Sequence, residues 1–115
     1  MSTPALHFEP ATGVLAGLPL LRIEVGGPVV HLRLHRPDKR NALNEALVRQ
    51  LHTAFVNLPS DARAAVISGE GAHFSAGLDL SEVTEQSVAE GVLHSRLWHA
   101  AFDQIQYAPV PVVAA

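Results

Sequence analysis

The sequence predicts an α/β domain that opens with an antiparallel hairpin and continues into parallel strands. Three observations predict it. Two alternating apolar runs flank Gly26-Gly27-Pro28, the pattern of a β-hairpin. Two later stretches carry apolar residues at helical spacing, and a short apolar run stands between them. Strand, helix and strand in that order need a crossover, which makes the pairing parallel.

The elements follow in order. Residues 1–19 hold three prolines (Pro4, Pro10, Pro19) and two glycines (Gly13, Gly17), which predicts a flexible, extended or poorly ordered arm. The domain proper is then residues 20–115. Leu21, Ile23 and Val25 alternate with Arg22 and Glu24, and Val30, Leu32 and Leu34 alternate with His31, Arg33 and His35. Each pattern is that of a half-buried strand. Pro37 ends the second strand. Leu43, Leu47, Leu51, Phe55 and Leu58 form a helical stripe, with Asn44 as N-cap and Glu45 in the first turn. Pro59 and Asp61 close that helix, and Arg63 opens the buried run Ala64–Ser68.

Ser81 to Gly91 is polar and only partly helical in character. Leu93, Leu97, Trp98, Ala101, Phe102 and Ile105 make a second stripe, so a helix is expected over about 92–106. Core packing is the expectation for Trp98 and Phe102. Pro109 and Pro111 stop the helix, and Val110 to Ala115 starts another strand.

Composition narrows the function. The chain has 115 residues, 48% hydrophobic and 17% charged, the balance of a packed globular protein. A net charge of -3 leaves no footprint for nucleic acid or an anionic membrane. Without cysteine there is no disulfide or thiol chemistry. No run approaches the ~20 apolar residues of a membrane span. The apolar patch Val14–Leu21 follows Glu9 and no basic residue, unlike a secretory signal. The expectation is a soluble, cytoplasmic protein.

The chemistry concentrates in Gly69-Glu70-Gly71-Ala72-His73-Phe74-Ser75-Ala76-Gly77-Leu78-Asp79-Leu80. Glycines break the strand into a loop at a strand end, where backbone N–H groups can face a developing negative charge. Leu78 is the donor to single out, because its side chain offers no polar chemistry. Asp79 and Glu82 have capping-box spacing, so Asp79 is expected as a helix N-cap.

Phe74-Ser75-Ala76-Gly77-Leu78-Asp79-Leu80 resembles the first oxyanion-loop signature of the crotonase (enoyl-CoA hydratase/isomerase) superfamily. Leu34-His35-Arg36-Pro37-Asp38-Lys39-Arg40-Asn41-Ala42-Leu43-Asn44 resembles the family's strand-to-helix turn near the CoA adenine. The two stand in the family's order and at about its spacing. The resemblance implies the opening, N-terminal part of a crotonase-like (ClpP/crotonase) spiral of ββα units. It also implies that the Leu78 N–H donates to the thioester carbonyl of an acyl-CoA. Backbone around Ser75, Ala76 and Gly77 would face CoA, with Ala42 near the adenine from the other side. Lys39 and Arg40 match positions where basic side chains approach CoA phosphates; a solvated basic turn is the alternative. Arg36 is open between that role and an ion pair with Asp38 or Asp61. Asp79 supports the loop and is not a base.

By the same resemblance, the leading activity is hydration of 2-enoyl-CoA. Δ3,Δ2-enoyl-CoA isomerisation and a non-catalytic CoA-binding scaffold are the alternatives. No cofactor is implied beyond the coenzyme A of the substrate, and a homotrimer or dimer of trimers is the implied assembly. The second oxyanion donor and the catalytic carboxylates would lie past Ala115, so these 115 residues are expected to be a fragment, inactive alone.

Other readings are weaker. His31 and His35 stand four residues apart on a strand, roughly 13 Å, and His94 and His99 have poor spacing for one helix face, so no metal is expected. Ser75 lies in Phe-Ser-Ala-Gly rather than a nucleophile elbow. Gly69-x-Gly71 lacks the third glycine of a nucleotide fingerprint. Glu82, Glu85 and Glu90 are read as solvent-face or capping residues before acid or base.

Overall fold

The computed structural model describes residues 6–82 and 87–115. Those residues form one sheet of strands β1 (Glu9–Pro10), β2 (Leu21–Gly26), β3 (Val29–Leu34), β4 (Ala64–Gly69) and β5 (Val112–Ala114), adjacent in chain order. The first three pair antiparallel and the last three parallel. Two helices make the crossovers, α1 (Glu45–Val56) and α2 (Val88–Gln106). Among the described residues, no helix is long and apolar enough to cross a membrane.

The hairpin closes through Gly27 and Pro28, with Gly26 opposite Val29. Gly27 takes φ +56°, a left-handed conformation that glycine adopts without a Cβ penalty. Alternation then sorts the sheet into two faces. Leu21, Ile23, Val30, Leu32, Leu34, Ala65 and Ile67 turn inward, and Leu47, Leu51, Ala54 and Phe55 of α1 pack with them as one core. Asn44 caps α1, its Oδ1 accepting from the Leu47 amide at 2.8 Å. The other face is polar. Arg22 and Arg33 reach the Glu70 carboxylate at 3.5 and 3.8 Å, and His31 Nε2 lies 2.6 Å from Ser68 Oγ.

Four expectations change. Pro10 belongs to an edge strand against β2, where a missing N–H is tolerated. A 3-10 turn over Gly13–Gly17 buries Leu15 in the core. Residues 9–19 are thus folded onto the domain rather than a loose arm, and residues 1–5 lie outside the description. The second helix begins at Val88, four residues early, because Ser87 and Glu90 form a capping box there. Its stripe is only partly covered: Ala101 is buried and Trp98 half-buried, but Phe102 is 42% exposed and Leu93 is exposed. Helical spacing marks a face without supplying the surface that covers it. The last strand starts at Val112, after Pro111, whose ring nitrogen has no hydrogen to donate.

Candidate active site

Two loops at the carboxyl ends of neighbouring parallel strands build the site: residues 35–44 after β3, and residues 70–82 after β4. β3 ends at Leu34, and Pro37–Lys39 forms one 3-10 turn. The chain then passes through two consecutive left-handed residues, Arg40 (φ 52°) and Asn41 (φ 55°). Asparagine tolerates this conformation better than most side chains.

Asn41 is fully buried, and its side chain is the hub of the site. Its Oδ1 accepts from the Arg36 amide at 2.9 Å, while Nδ2 donates to the carbonyls of Glu70 at 2.9 Å and His73 at 2.8 Å. Each bond is worth about 1 kcal/mol net, and leaving such buried groups unpaired costs more. The second loop folds back so tightly that a Cβ on Gly69 would run into the carbonyl oxygens of His73 and Phe74.

Further bonds zip the loops together. Ser75 Oγ donates to the Asn41 carbonyl at 2.8 Å and accepts from the Gly77 amide at 3.1 Å. The Ala76 amide donates to the Arg40 carbonyl at 3.0 Å. The Ser75 hydroxyl thus donates its proton to the first loop and accepts from within its own, which fits a structural serine rather than a nucleophile. Leu43 and Leu78 then form an isolated parallel bridge. The Leu43 amide donates to the Gly77 carbonyl at 2.7 Å, and the Asp79 amide donates to the Leu43 carbonyl at 2.9 Å.

That bridge sets the direction of the Leu78 N–H. The Gly77 carbonyl and the Leu78 amide belong to one peptide unit, which is planar and trans, so they point opposite ways. With the carbonyl held by Leu43, the amide turns away from that segment. Between Ala76 and Asp79, the amides of Ala76, Gly77 and Asp79 all have acceptors, while that of Leu78 has none among the described residues. Leu78 itself is 46% exposed. Two cavities of about 340 Å³ lie elsewhere, one beside β2 at Pro10, Leu15 and Ile23 and one between α1 and α2.

Asp79 stands at the expected N-cap position, but the helix it caps is shorter than expected. Directly after it, Leu80–Glu82 forms a single 3-10 turn. Its Oδ1 accepts from the Ser81 hydroxyl at 2.6 Å and the Ser81 amide at 3.0 Å. Glu82 does not return to Asp79 as a capping box would, but accepts from the Glu45 amide at 2.9 Å and so caps α1 across the gap. Asp79 Oδ2 takes the Arg36 guanidinium at 3.1 Å. The Ser81 hydrogen bonds, then the Arg36 contact, hold the Asp79 carboxyl below its ordinary pKa against an opposing desolvation. Arg36 therefore pairs with neither Asp38 nor Asp61.

The remaining expected residues divide. Ala42 is buried, and its carbonyl accepts from Arg36 Nη1 at 2.6 Å. Lys39 and Arg40 are exposed beside it, with no acidic partner among the described residues. Glu90 caps α2, and Glu85 lies outside the described residues. His31 is held below its ordinary pKa by burial and by Arg33, with Glu24 opposing. Sequence reasoning missed the Asn41 clamp and the Arg36–Asp79 pair. A turn asparagine among charged residues was the visible signal for the first.

The enoyl-CoA hydratase/isomerase family model matches residues 24–115. The chain belongs to that family. Its fold is that of crotonase structures, of which it covers the N-terminal portion. An inferred enoyl-CoA hydratase from Rhodopseudomonas palustris has 50% identity and a TM-score of 0.80, over 84% of this chain and 38% of its own. Another inferred enoyl-CoA hydratase, from Thermobifida fusca in complex with CoA, has 26% identity and a TM-score of 0.73, over 85% and 41%. The mitochondrial Delta(3,5)-Delta(2,4)-dienoyl-CoA isomerase of Mus musculus is 36% identical over 76% of this chain and 31% of its length. The chain thus spans about a third of the length of the relatives it matches.

Proposed function

We propose that the protein carrying this chain is an acyl-CoA enzyme that hydrates 2-enoyl-CoA, with the Leu78 N–H as one donor to the thioester oxygen. The observation that carries this is the orientation of the Leu78 amide, imposed through its shared peptide unit with Gly77. In the reaction, water adds its oxygen to C3 and a proton reaches C2. Between those events the thioester oxygen holds enolate charge, and a pre-aimed N–H stabilises that charge without reorganising. Removing one such donor typically raises the barrier by ~2.7–4 kcal/mol.

The exposed Lys39 and Arg40 stand at the turn preceding Ala42, placed to meet CoA phosphates as a point charge and a planar fork. Backbone at Ser75 and Ala76 would flank the adenine with Ala42, and Gly77 would face CoA. The neighbour bound to CoA supports a CoA-linked substrate, and the proposal includes no cofactor beyond that CoA. A trimeric, cytoplasmic enzyme is part of the same proposal. The likeness to a dienoyl-CoA isomerase supports a second reading, double-bond migration at the same oxyanion site.

The test is to assay the protein carrying this chain with crotonyl-CoA and with a 3-enoyl-CoA, and to titrate it with acetoacetyl-CoA by calorimetry. Formation of 3-hydroxybutyryl-CoA is the expected result. Conversion of the 3-enoyl substrate alone would move the assignment to the isomerase. Absence of binding and of both reactions would overturn it.

A further inference from the structure

We infer that Arg36 is a positioning residue for the Leu78 amide; the inference rests on the oxyanion reading of Leu78 given above. A single guanidinium nitrogen, Nη1, donates to the Ala42 carbonyl at 2.6 Å and to Asp79 Oδ2 at 3.1 Å. Ala42 immediately precedes Leu43, and Asp79 immediately follows Leu78. The two acceptors therefore stand on opposite sides of the Leu43–Leu78 bridge, and Arg36 ties together the segments that the bridge joins. Both side chains are withdrawn from water, Arg36 to 13% and Asp79 to 11% exposure.

The bridge needs such a tie. It consists of one residue pair, with two hydrogen bonds and no ladder beyond it. Gly77 adjoins the critical peptide unit with φ +84°, and no heavy atom lies within 4 Å of where its Cβ would be. A glycine in open space resists rotation of that unit least of all residues. Rotation would turn the Gly77 carbonyl to where the Leu78 N–H now points. A carbonyl there repels a charged thioester oxygen that the amide attracts. Holding Ala42 and Asp79 fixed keeps Leu43 on the Gly77 carbonyl and excludes the flipped state. Arg36 touches no substrate in this scheme. Its loss should weaken polarisation of the thioester much more than attachment of CoA.

The experiment binds [1-¹³C]acetoacetyl-CoA to the protein carrying this chain and reads the thioester carbonyl resonance, with kcat and KM for crotonyl-CoA beside it. Three variants are compared with the parent. One replaces Leu78 by its α-hydroxy analogue, exchanging the N–H for an ester oxygen. The second is Arg36→Lys, and the third is Arg36→Met with Asp79→Asn, which leaves no orphaned buried charge. A thermal melt confirms folding of each.

The expected result is a carbonyl shift in the parent that is lost in the ester variant and at least halved in the Met/Asn variant. Its kcat should fall about tenfold or more with CoA affinity within about threefold, the split of an interaction made in the transition state. Lysine, retaining the cation, should recover part of the shift. A folded Met/Asn variant with the parent's shift and kcat overturns the role of Arg36 while leaving Leu78 as donor. An ester variant with an undiminished shift overturns the donor itself, and the positioning role with it.

Discussion

Asn41 Nδ2 donates to the His73 carbonyl at 2.8 Å, joining residues 32 apart in the chain. With the Glu70 and Arg36 bonds, that contact lets one buried side chain tie the start of the second loop to the first. Replacing Asn41 by alanine removes three hydrogen bonds at a buried position and leaves a left-handed φ of 55° to a residue that disfavours it. The expected loss is about 2–4 kcal/mol by urea unfolding. Asn41→Gly keeps the conformation without strain and should be milder than Asn41→Ala by about 1 kcal/mol. Equal losses would show that backbone strain plays no part.

Gly69 and Gly17 provide a paired test of close approach. A methyl group at Gly69 meets the backbone oxygens of His73 and Phe74, which cannot yield like a flexible side chain. Gly69→Ala should lower stability by about 1–3 kcal/mol and displace the loop. Gly17 has open space at its Cβ position, and Gly17→Ala should stay within about 0.5 kcal/mol. Amide shifts of residues 73–79 should move in the first variant and not in the second.

Asp79 gives the fold an acid limit whose sign follows from its hydrogen bonds. Ser81 and Arg36 favour the carboxylate, so its folded pKa lies below the unfolded value of about 3.9. The unfolded state then binds more protons in that window, and stability is lost as pH falls through it. His31 has the same sign in a higher window, since burial and Arg33 lower its pKa from 6.5. Its contribution is present above about pH 6.5 and declines below. Asp79→Asn should flatten the dependence near pH 4 and His31→Gln that near pH 6. Melting temperatures across pH 3–8 would expose an inverted slope.

Ser87→Ala removes the N-cap of α2, an interaction worth about 0.5–2 kcal/mol. Because α2 buries Ala101 and leaves Phe102 and Leu93 exposed, its ends should open before the sheet does. Hydrogen exchange should therefore quicken at 88–92 with little change in β3 and β4. A uniform rise across the whole chain would contradict that order.

What the sequence revealed, and what it hid, divides by the range of the interaction. The hairpin, the Asn44 cap and the Leu47–Leu51–Phe55 stripe are local patterns, and all are found where the periodicities place them. The Ser87–Glu90 box is equally local, and it starts α2 at Val88, four residues ahead of the start expected from the apolar stripe. Arg36 is different. The sequence leaves Asp38 and Asp61 open as its partners, yet Asp79, 43 residues away, sits opposite its guanidinium. Asn41 also finds its partners at long range, 29 and 32 residues on. The Leu78 amide is singled out only by motif and loop context, because a main-chain hydrogen leaves no mark in residue chemistry.

The shared peptide unit of Gly77 and Leu78 has an evolutionary corollary. What aims the hydrogen is the carbonyl one residue earlier, so the leucine side chain plays no part in delivering it. Nineteen of the twenty amino acids carry an equivalent hydrogen, proline alone excepted. Position 78 can therefore change in bulk and polarity without losing that hydrogen, and the half-exposed leucine side chain leaves room for such a change.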